Sequence, residues 1–117
     1  MNHCDLYVLN AHGEPVREKD LMRWGFFFDR QSRQVARDEI VPEVVVSTIF
    51  LGLNQRVRGK GPPILWETIV IAHGVLDRKW MKRCTGNREQ AEAMHATMLA
   101  KAKKHFGGKR SLTDGVS

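Results

Sequence analysis

Two strongly apolar segments, residues 44–53 and 64–72, limit what this chain of 117 residues can fold into. Both are rich in β-branched residues, which favours strands. Alternate residues of a strand point to opposite faces of the sheet, and in both segments both alternate sets are apolar. In residues 44–53 one set contains Val44, Val46 and Phe50, and the other contains Val45, Ile49, Leu51 and Leu53. The sequence therefore predicts a sheet that needs cover on both faces.

Weaker signals place other strands around these two. Residues 5–9 predict a short strand that ends in a turn, and residues 34–41 and 77–84 predict two further strands. Residues 55–63 contain two glycines and two prolines, which predicts a loop.

Two helices are predicted on either side of the sheet. Asp20 can cap a helix to about Gln31, with Leu21, Trp24 and Phe28 on one apolar face. Phe26 and Phe27 lie off that face, so we expect this helix to be buried on more than one side.

The second helix has the clearest boundaries. Asn87 and Gln90 form a capping-box pattern, and Gly107 ends the helix. Helical spacing continues between them through Ala91, Met94, His95, Met98, Ala102 and Phe106. Because His95 lies on this apolar stripe, we interpret it as a hydrogen-bonded core histidine.

These elements predict an α+β fold: an antiparallel sheet of three to four strands with one helix before it and one helix after it. We assign residues 1–108 to a single domain and residues 109–117 to a disordered basic and polar tail. Two helices can cover one face of a small sheet. Either the N-terminal segment or a second copy of the chain, in a homodimer, would then cover the other face.

Composition excludes several classes of protein. With 42% hydrophobic and 27% charged residues the chain is typical of soluble globular domains. It has neither a membrane-length apolar stretch nor a signal-peptide pattern, so we expect a cytoplasmic protein without a membrane partner. Cys4 and Cys84 are too far apart in sequence to indicate a zinc motif or a disulfide framework, and we predict no metal or cofactor.

The net charge of +6 is unevenly distributed. Residues 1–76 contain nine basic and nine acidic residues, whereas the last 41 residues contain ten and four. The predicted strand 77–84 carries Arg78, Lys79, Trp80, Lys82 and Arg83. Cations around an aromatic ring are typical of single-stranded nucleic-acid sites, although lysines also protect the edges of sheets. Basic residues of the 55–63 loop are further candidates for a partner or for nucleic acid: Arg56, Arg58 and Lys60.

Candidates for catalysis are few. The glycines around Lys60 do not have the spacing of a phosphate-binding loop. Glu67 lies inside an apolar strand, where a buried carboxylate can act as an acid or base. It can equally pair with a cation such as Arg78 or Lys82. No catalytic triad is evident from the sequence, so we predict no catalytic residue.

The central segment resembles a family of small phage and prophage proteins without an established activity. The similarity lies in the S-T-I-F-L-G-L-N run of residues 47–54, the G-K-G-P-P run of residues 59–63 and the L-W-E-T-I-V run of residues 65–70. Thr85, Gln90-Ala91 and His95 match the pattern that closes the family sequences. Gln55 departs from it, because the family often has histidine there.

This resemblance implies a mobile-element setting and no particular reaction. We therefore expect a non-enzymatic accessory protein that binds a host protein or ribonucleoprotein complex, such as an anti-CRISPR inhibitor. One alternative is a nucleic-acid-binding module that uses the basic C-terminal third. Another is a small hydrolase or transferase centred on Glu67.

Overall fold

The computed structural model describes residues 5–56, 59 and 61–107. The strands are β1 Tyr7–Leu9, β2 Pro15–Arg17, β3 Gln34–Val41, β4 Val44–Phe50, β5 Ile64–Ala72 and β6 Val75–Thr85. Helix α1 is Leu21–Arg30 and helix α2 is Arg88–Ala102, which continues into one π-helical turn, Lys103–Gly107. The tail predicted at residues 109–117 lies outside the described residues.

The main sheet has the strand order β3-β4-β5-β6, and each pair of neighbours is antiparallel. This confirms the α+β class and the four-stranded antiparallel sheet. The predicted arrangement of one helix before and one after the sheet is only partly correct. A separate two-stranded sheet, β1-β2, precedes α1, and its second strand was not predicted.

Two tight turns connect the strands at one end of the sheet. His73 and Gly74, between β5 and β6, have φ values of 53° and 79°, and a two-residue hairpin turn with two positive φ values matches the right-handed twist of its strands. Glu43, between β3 and β4, also has a positive φ, 69°. The His73 amide donates to the Glu43 carbonyl at 2.7 Å, so the two turns are joined.

One face of the main sheet, which we call the closed face, carries the core. Strand pairing places Val46 beside Val70 and Phe50 beside Trp66 on this face, and all four side chains are buried. Helix α2 packs against it through Ala91, Met98 and Ala102. A capping box of Asn87 and Gln90 begins α2, as the sequence predicts.

Helix α1 begins after Asp20, whose carboxylate accepts from two backbone amides, as predicted. Two contacts attach the helix to the body of the protein. The Phe27 ring meets Phe50 edge to face with centroids 6.1 Å apart, and Trp24 Nε1 donates to the Gly52 carbonyl at 3.0 Å. Burial of α1 on more than one side was predicted, and this is wrong, because no residue of α1 is fully buried.

Gly52 lies in the G-L run that follows β4. Its φ is +78°, and a Cβ at this position would lie 2.8 Å from Cε1 of Phe28. Its carbonyl also accepts from the Tyr7 amide at 2.9 Å. Only glycine therefore allows α1 and β1 to approach this point together.

The N-terminal segment packs on the same side of the sheet as α2. Tyr7 and Leu9 contact the core cluster that contains Phe50 and Trp66. The part of the N-terminal segment that the structure describes, from residue 5 onward, therefore does not cover the second face. Among the described residues, no helix is long and apolar enough to cross a membrane.

Candidate functional site

The second face of the main sheet is apolar at its centre and has no described element packed on it. We call it the open sheet face. Strand register places these partly exposed side chains on it: Val45, Ile49, Ile69, Ile71 and Met81. From Ser47 and Ile69 toward the two hairpin turns, this face forms a shallow depression of about 590 Å³.

The open sheet face carries charged residues of both signs. Arg37 and Glu39 lie on the β3 side, beside Ser47 and Val45. Glu67 and Arg83 are cross-strand partners on β5 and β6, joined by an ion pair of 2.8 Å between Arg83 Nε and Glu67 Oε2. Glu43 lines the depression as well, so two arginines and three glutamates surround the aliphatic centre of the face.

A second apolar surface lies on the outer side of α1. Leu21, Met22 and Phe26 are 65%, 81% and 61% exposed, although they are large hydrophobic residues. A Cβ added to Gly25, between them, would have no atom within 4 Å. We call these four residues the α1 surface. The sequence prediction did not include this surface; the available signal was that apolar residues of the helix extend beyond one face.

Arginines lie on the aromatic rings of α1. The Arg30 guanidinium is 4.4 Å from the centroid of Phe26, and that of Arg33 is 3.8 Å from the centroid of Phe28. The Trp24 ring also stacks on the Phe28 ring, with centroids 4.4 Å apart. The α1 surface is thus bordered by the Arg30 guanidinium, and the carboxylate of Asp29 lies in the same groove.

The predicted basic strand is β6, at one edge of the sheet. Lys82 lies with Lys101 of α2 around a cavity of about 210 Å³ whose other lining residues include Met94 and Met98. The ammonium of Lys101 is 5.6 Å from the centroid of the Trp80 ring, and Lys79 lines a cavity on which Trp80 also borders. We call Lys79, Lys82 and Lys101 the basic edge.

Trp80 itself was predicted to bind a partner, and the structure corrects this. Its residue is only 7% exposed, and its ring packs against Phe106 and His105 at 5.4 Å. A bulge in β6 changes the alternation of side chains before Trp80, because pairing passes from Ile69–Met81 to Ile71–Leu76. The ring is therefore part of the core and is not available to stack on a base.

The other predicted basic residues are dispersed. Arg78 is exposed in the bulge of β6, whereas Arg83 is on the open sheet face and pairs with Glu67. A cation near Glu67 was predicted, but the partner is Arg83 and not Arg78 or Lys82. Arg56 donates from Nε to the Pro62 carbonyl at 3.0 Å, within its own loop. Arg58 and Lys60 lie outside the described residues.

A chain of hydrogen bonds links α2 to three strands. His95, 5% exposed, contacts Thr48 Oγ1 through Nδ1 at 2.7 Å and Asp38 Oδ2 through Nε2 at 2.8 Å. The Thr48 hydroxyl also contacts that of Thr68, and both threonines are fully buried. The prediction of a hydrogen-bonded core histidine agrees with this geometry, whereas its partners were not predicted.

The order of groups in this chain is carboxylate, imidazole and hydroxyl, as in a hydrolase triad. A neutral ring with its proton on Nε2 satisfies every bond, since the Thr68 hydroxyl then donates to Thr48, Thr48 to His95, and His95 to Asp38. However, Thr48 is 0% exposed, so a substrate has no route to its hydroxyl in this structure. The geometry favours a role in fixing α2 to the sheet.

Neither a reactive cysteine nor a metal site is indicated among the described residues. Burial raises the pKa of the Cys84 thiol above its ordinary value, which makes the thiolate scarcer at neutral pH. Among residues 5–56, 59 and 61–107, no group of three His, Cys, Asp or Glu side chains is arranged to hold a metal ion.

Comparison with known proteins gives no family for this chain. No family model matches it, and neither a curated protein nor a solved structure is significantly similar to it.

Proposed function

We propose that this chain is a non-enzymatic phage or prophage accessory protein that binds a host macromolecule in the cytoplasm. Such a protein can serve as an anti-defence factor, for example an inhibitor of a CRISPR–Cas complex. The observation that carries the proposal is the α1 surface, because three large hydrophobic side chains on one helix are more than half exposed. Contiguous exposed apolar groups in a water-soluble domain mark interaction sites.

The composition of the α1 surface supports a protein target. Met22 and Phe26 belong to residue types enriched at protein interfaces, and the arginines beside them belong to the type most common at energetic centres. Arg30 is already held on Phe26, so it loses less conformational freedom when it pairs with a carboxylate. The partner that fits is a host protein with an apolar groove and an acidic rim.

The position of these residues indicates how the contact forms. Met22 and Phe26 are four residues apart, so they lie one above the other on the helix. A groove that accepts a helix recognises side chains at this spacing. Leu21 and the open space above Gly25 allow the groove to approach the helix backbone.

The test is capture of the target from a lysate of the host treated with nuclease, followed by direct binding of the purified target. We expect Phe26→Asp to weaken direct binding by at least about 100-fold, because a carboxylate replaces an apolar anchor. Val75→Asp is the matched control, since Val75 is 63% exposed on the β5–β6 hairpin.

The same variants are then compared in phage infection of a host with an active defence system. Wild type and Val75→Asp should restore plaque formation, and Phe26→Asp should not. Equal direct binding by Phe26→Asp and wild type would overturn the assignment of the α1 surface. Full biological activity without any stable macromolecular partner would overturn the proposed function itself.

A nucleic-acid-binding module is the second candidate, and the basic edge is the observation that favours it. Lys79 and Lys101 lie near Trp80, and Lys82 shares a cavity with Lys101. Asp77 lies near Lys79. Three phosphate contacts predict affinity that falls with a slope of roughly −2 in log units of salt for a single strand. Replacement of all three lysines by alanine should abolish that slope. Absence of binding at low salt would exclude this candidate.

The Glu67 candidate has weaker support. Its carboxylate pairs with Arg83 on the open sheet face, and its side chain is only 13% exposed. This contact is consistent with a carboxylate that fixes two strands. Glu67→Gln should therefore leave plaque formation unchanged in the infection assay, and a loss of activity in this folded variant would revive the candidate.

A further inference from the structure

We infer that the open sheet face is the interface of a homodimer, in which a second copy packs its own open sheet face against the first. The described helices both lie elsewhere: α2 packs on the closed face, and α1 reaches the core through Phe27 and Phe50. The N-terminal strands also pack on the closed side. No element of residues 5–56, 59 and 61–107 thus covers the aliphatic centre of the open sheet face, where we place the second copy.

Residue types on this face favour a second copy over an unrelated partner. Its centre contains valine, isoleucine and methionine side chains, and no aromatic residue lies among the described residues assigned to it. Homodimer interfaces resemble a domain core cut in half. Interfaces with transient partners instead concentrate tryptophan, tyrosine and arginine at their centres. The strands of this sheet have the two-sided apolar pattern of strands that are covered on both faces.

Charge favours the same conclusion. The chain has a net charge of +6, so two copies repel each other over most of their surfaces. The open sheet face does not share this positive excess, because Arg37 and Arg83 are set against three glutamates, residues 39, 43 and 67. Two copies can therefore approach through this face without the repulsion that the rest of the surface produces.

Sheet geometry allows a closed two-fold pair. Two sheets pack about 10 Å apart with their strands within about 30° of each other. A two-fold axis that runs along the strands, between β4 and β5, places β4 of each copy over β5 of the other. The small Ser47 then faces the larger Ile69 of the partner subunit, which lets the two surfaces interlock.

The size of the face sets the expected affinity. Four strands of seven residues span roughly 19 Å by 24 Å. That projected area, about 460 Å², is little more than half of the roughly 800 Å² per partner buried in a stable complex, so the dimer is of the weak, reversible class. We therefore expect a dimer that dissociates with a constant on the order of micromolar.

Sedimentation velocity of the nuclease-treated full chain, from about 1 to 200 µM, tests the inference. Wild type should shift with concentration from 13.4 kDa to twice that mass. Ile69→Lys should raise the dissociation constant at least about 100-fold, because the symmetry buries two unpaired ammonium groups. Met22→Lys, on the α1 surface, is the matched control and should dimerise as wild type does.

A second variant, Ser47→Arg, tests the same interface in case Ile69→Lys does not fold. Circular dichroism shows whether each variant is folded. Ser47 is a partly exposed residue at the centre of the same face. A wild-type mass of 13.4 kDa at every concentration would overturn the inference. A dimer that survives in both folded variants, or that Met22→Lys abolishes, would overturn it as well. None of these outcomes depends on the proposed host target.

Discussion

The α1 surface and the open sheet face are both apolar and accessible, yet their side chains and supports differ. The α1 surface is a few large, flexible side chains on a helix attached mainly through Trp24 and Phe27. The open sheet face is a layer of β-branched side chains on strands held by neighbours on both sides. A small patch that contains an aromatic ring and borders an arginine suits a different protein as partner. A flat aliphatic layer suits a second copy of the same chain. Exposure alone does not distinguish them.

The largest expected effect comes from the residue that supports both surfaces. Phe50 lies beneath the sheet beside Trp66 and also meets Phe27 of α1. Phe50→Ala should lower the free energy of unfolding by about 3–5 kcal/mol, because it removes buried contacts and leaves a cavity. Chemical denaturation measures this. A decrease of less than about 1 kcal/mol in the free energy of unfolding would mean that contacts other than Phe27–Phe50 hold α1 in place.

A smaller effect separates the two faces of the same strand. Thr48→Val keeps the shape of a buried side chain but removes the hydroxyl that His95 contacts, so it should cost about 1–3 kcal/mol. Ser47→Val, one residue earlier on the open sheet face, should change monomer stability by about 0.5 kcal/mol or less. Denaturation at low protein concentration compares them. Equal losses would contradict the assignment of closed and open faces.

A stabilising change isolates the α1 surface. Gly25 is in the middle of α1 with open space around its Cα, so Gly25→Ala should raise helix stability by about 0.5–1 kcal/mol. Thermal unfolding measures the gain. If target binding nevertheless weakens, a groove must approach the backbone at this position. Unchanged binding would show that Met22 and Phe26 suffice, and a loss of stability would contradict the exposed position of Gly25.

The smallest effect is chemical. Because burial raises the pKa of the Cys84 thiol, its alkylation by iodoacetamide should reach half its maximal rate at a higher pH than a cysteine in an unfolded peptide. Mass spectrometry of the Cys84 peptide measures the pH profile. Cys84 is the cross-strand partner of Trp66 on the closed side, so dimerisation should leave this profile unchanged. A profile that shifts with protein concentration would argue against that placement.

Local sequence rules predicted much of the fold. The bounds of β3 and β5 and both helix caps follow from β-branched runs, turn residues and capping patterns, which act over a few residues. The core role of His95 also follows from its place on a helical stripe.

The features that the sequence did not predict depend on contacts between residues that are far apart in the chain. Asp38 and His95 are 57 positions apart, and neither residue indicates the other in sequence. Periodicity shows which side chains share a face but not what covers that face, which is why the exposure of α1 was missed. Trp80 lies on the same side of β6 as Lys82 and Cys84. Its ring is covered by His105 and Phe106, which are distant in sequence, so the strand pattern alone does not show its burial.

The order of strands along the chain is also their order in the main sheet, and this has a kinetic consequence. Each strand pair can form as a local hairpin with a short closing loop or, for β4 and β5, a moderate one. We expect helix α2 to dock later, because the hydrogen bond between His95 of α2 and Asp38 of β3 joins residues that are 57 positions apart. We expect hairpins to form before α2 docks in the folding transition state. Loss of the His95 contacts should then accelerate unfolding while folding keeps nearly its original rate.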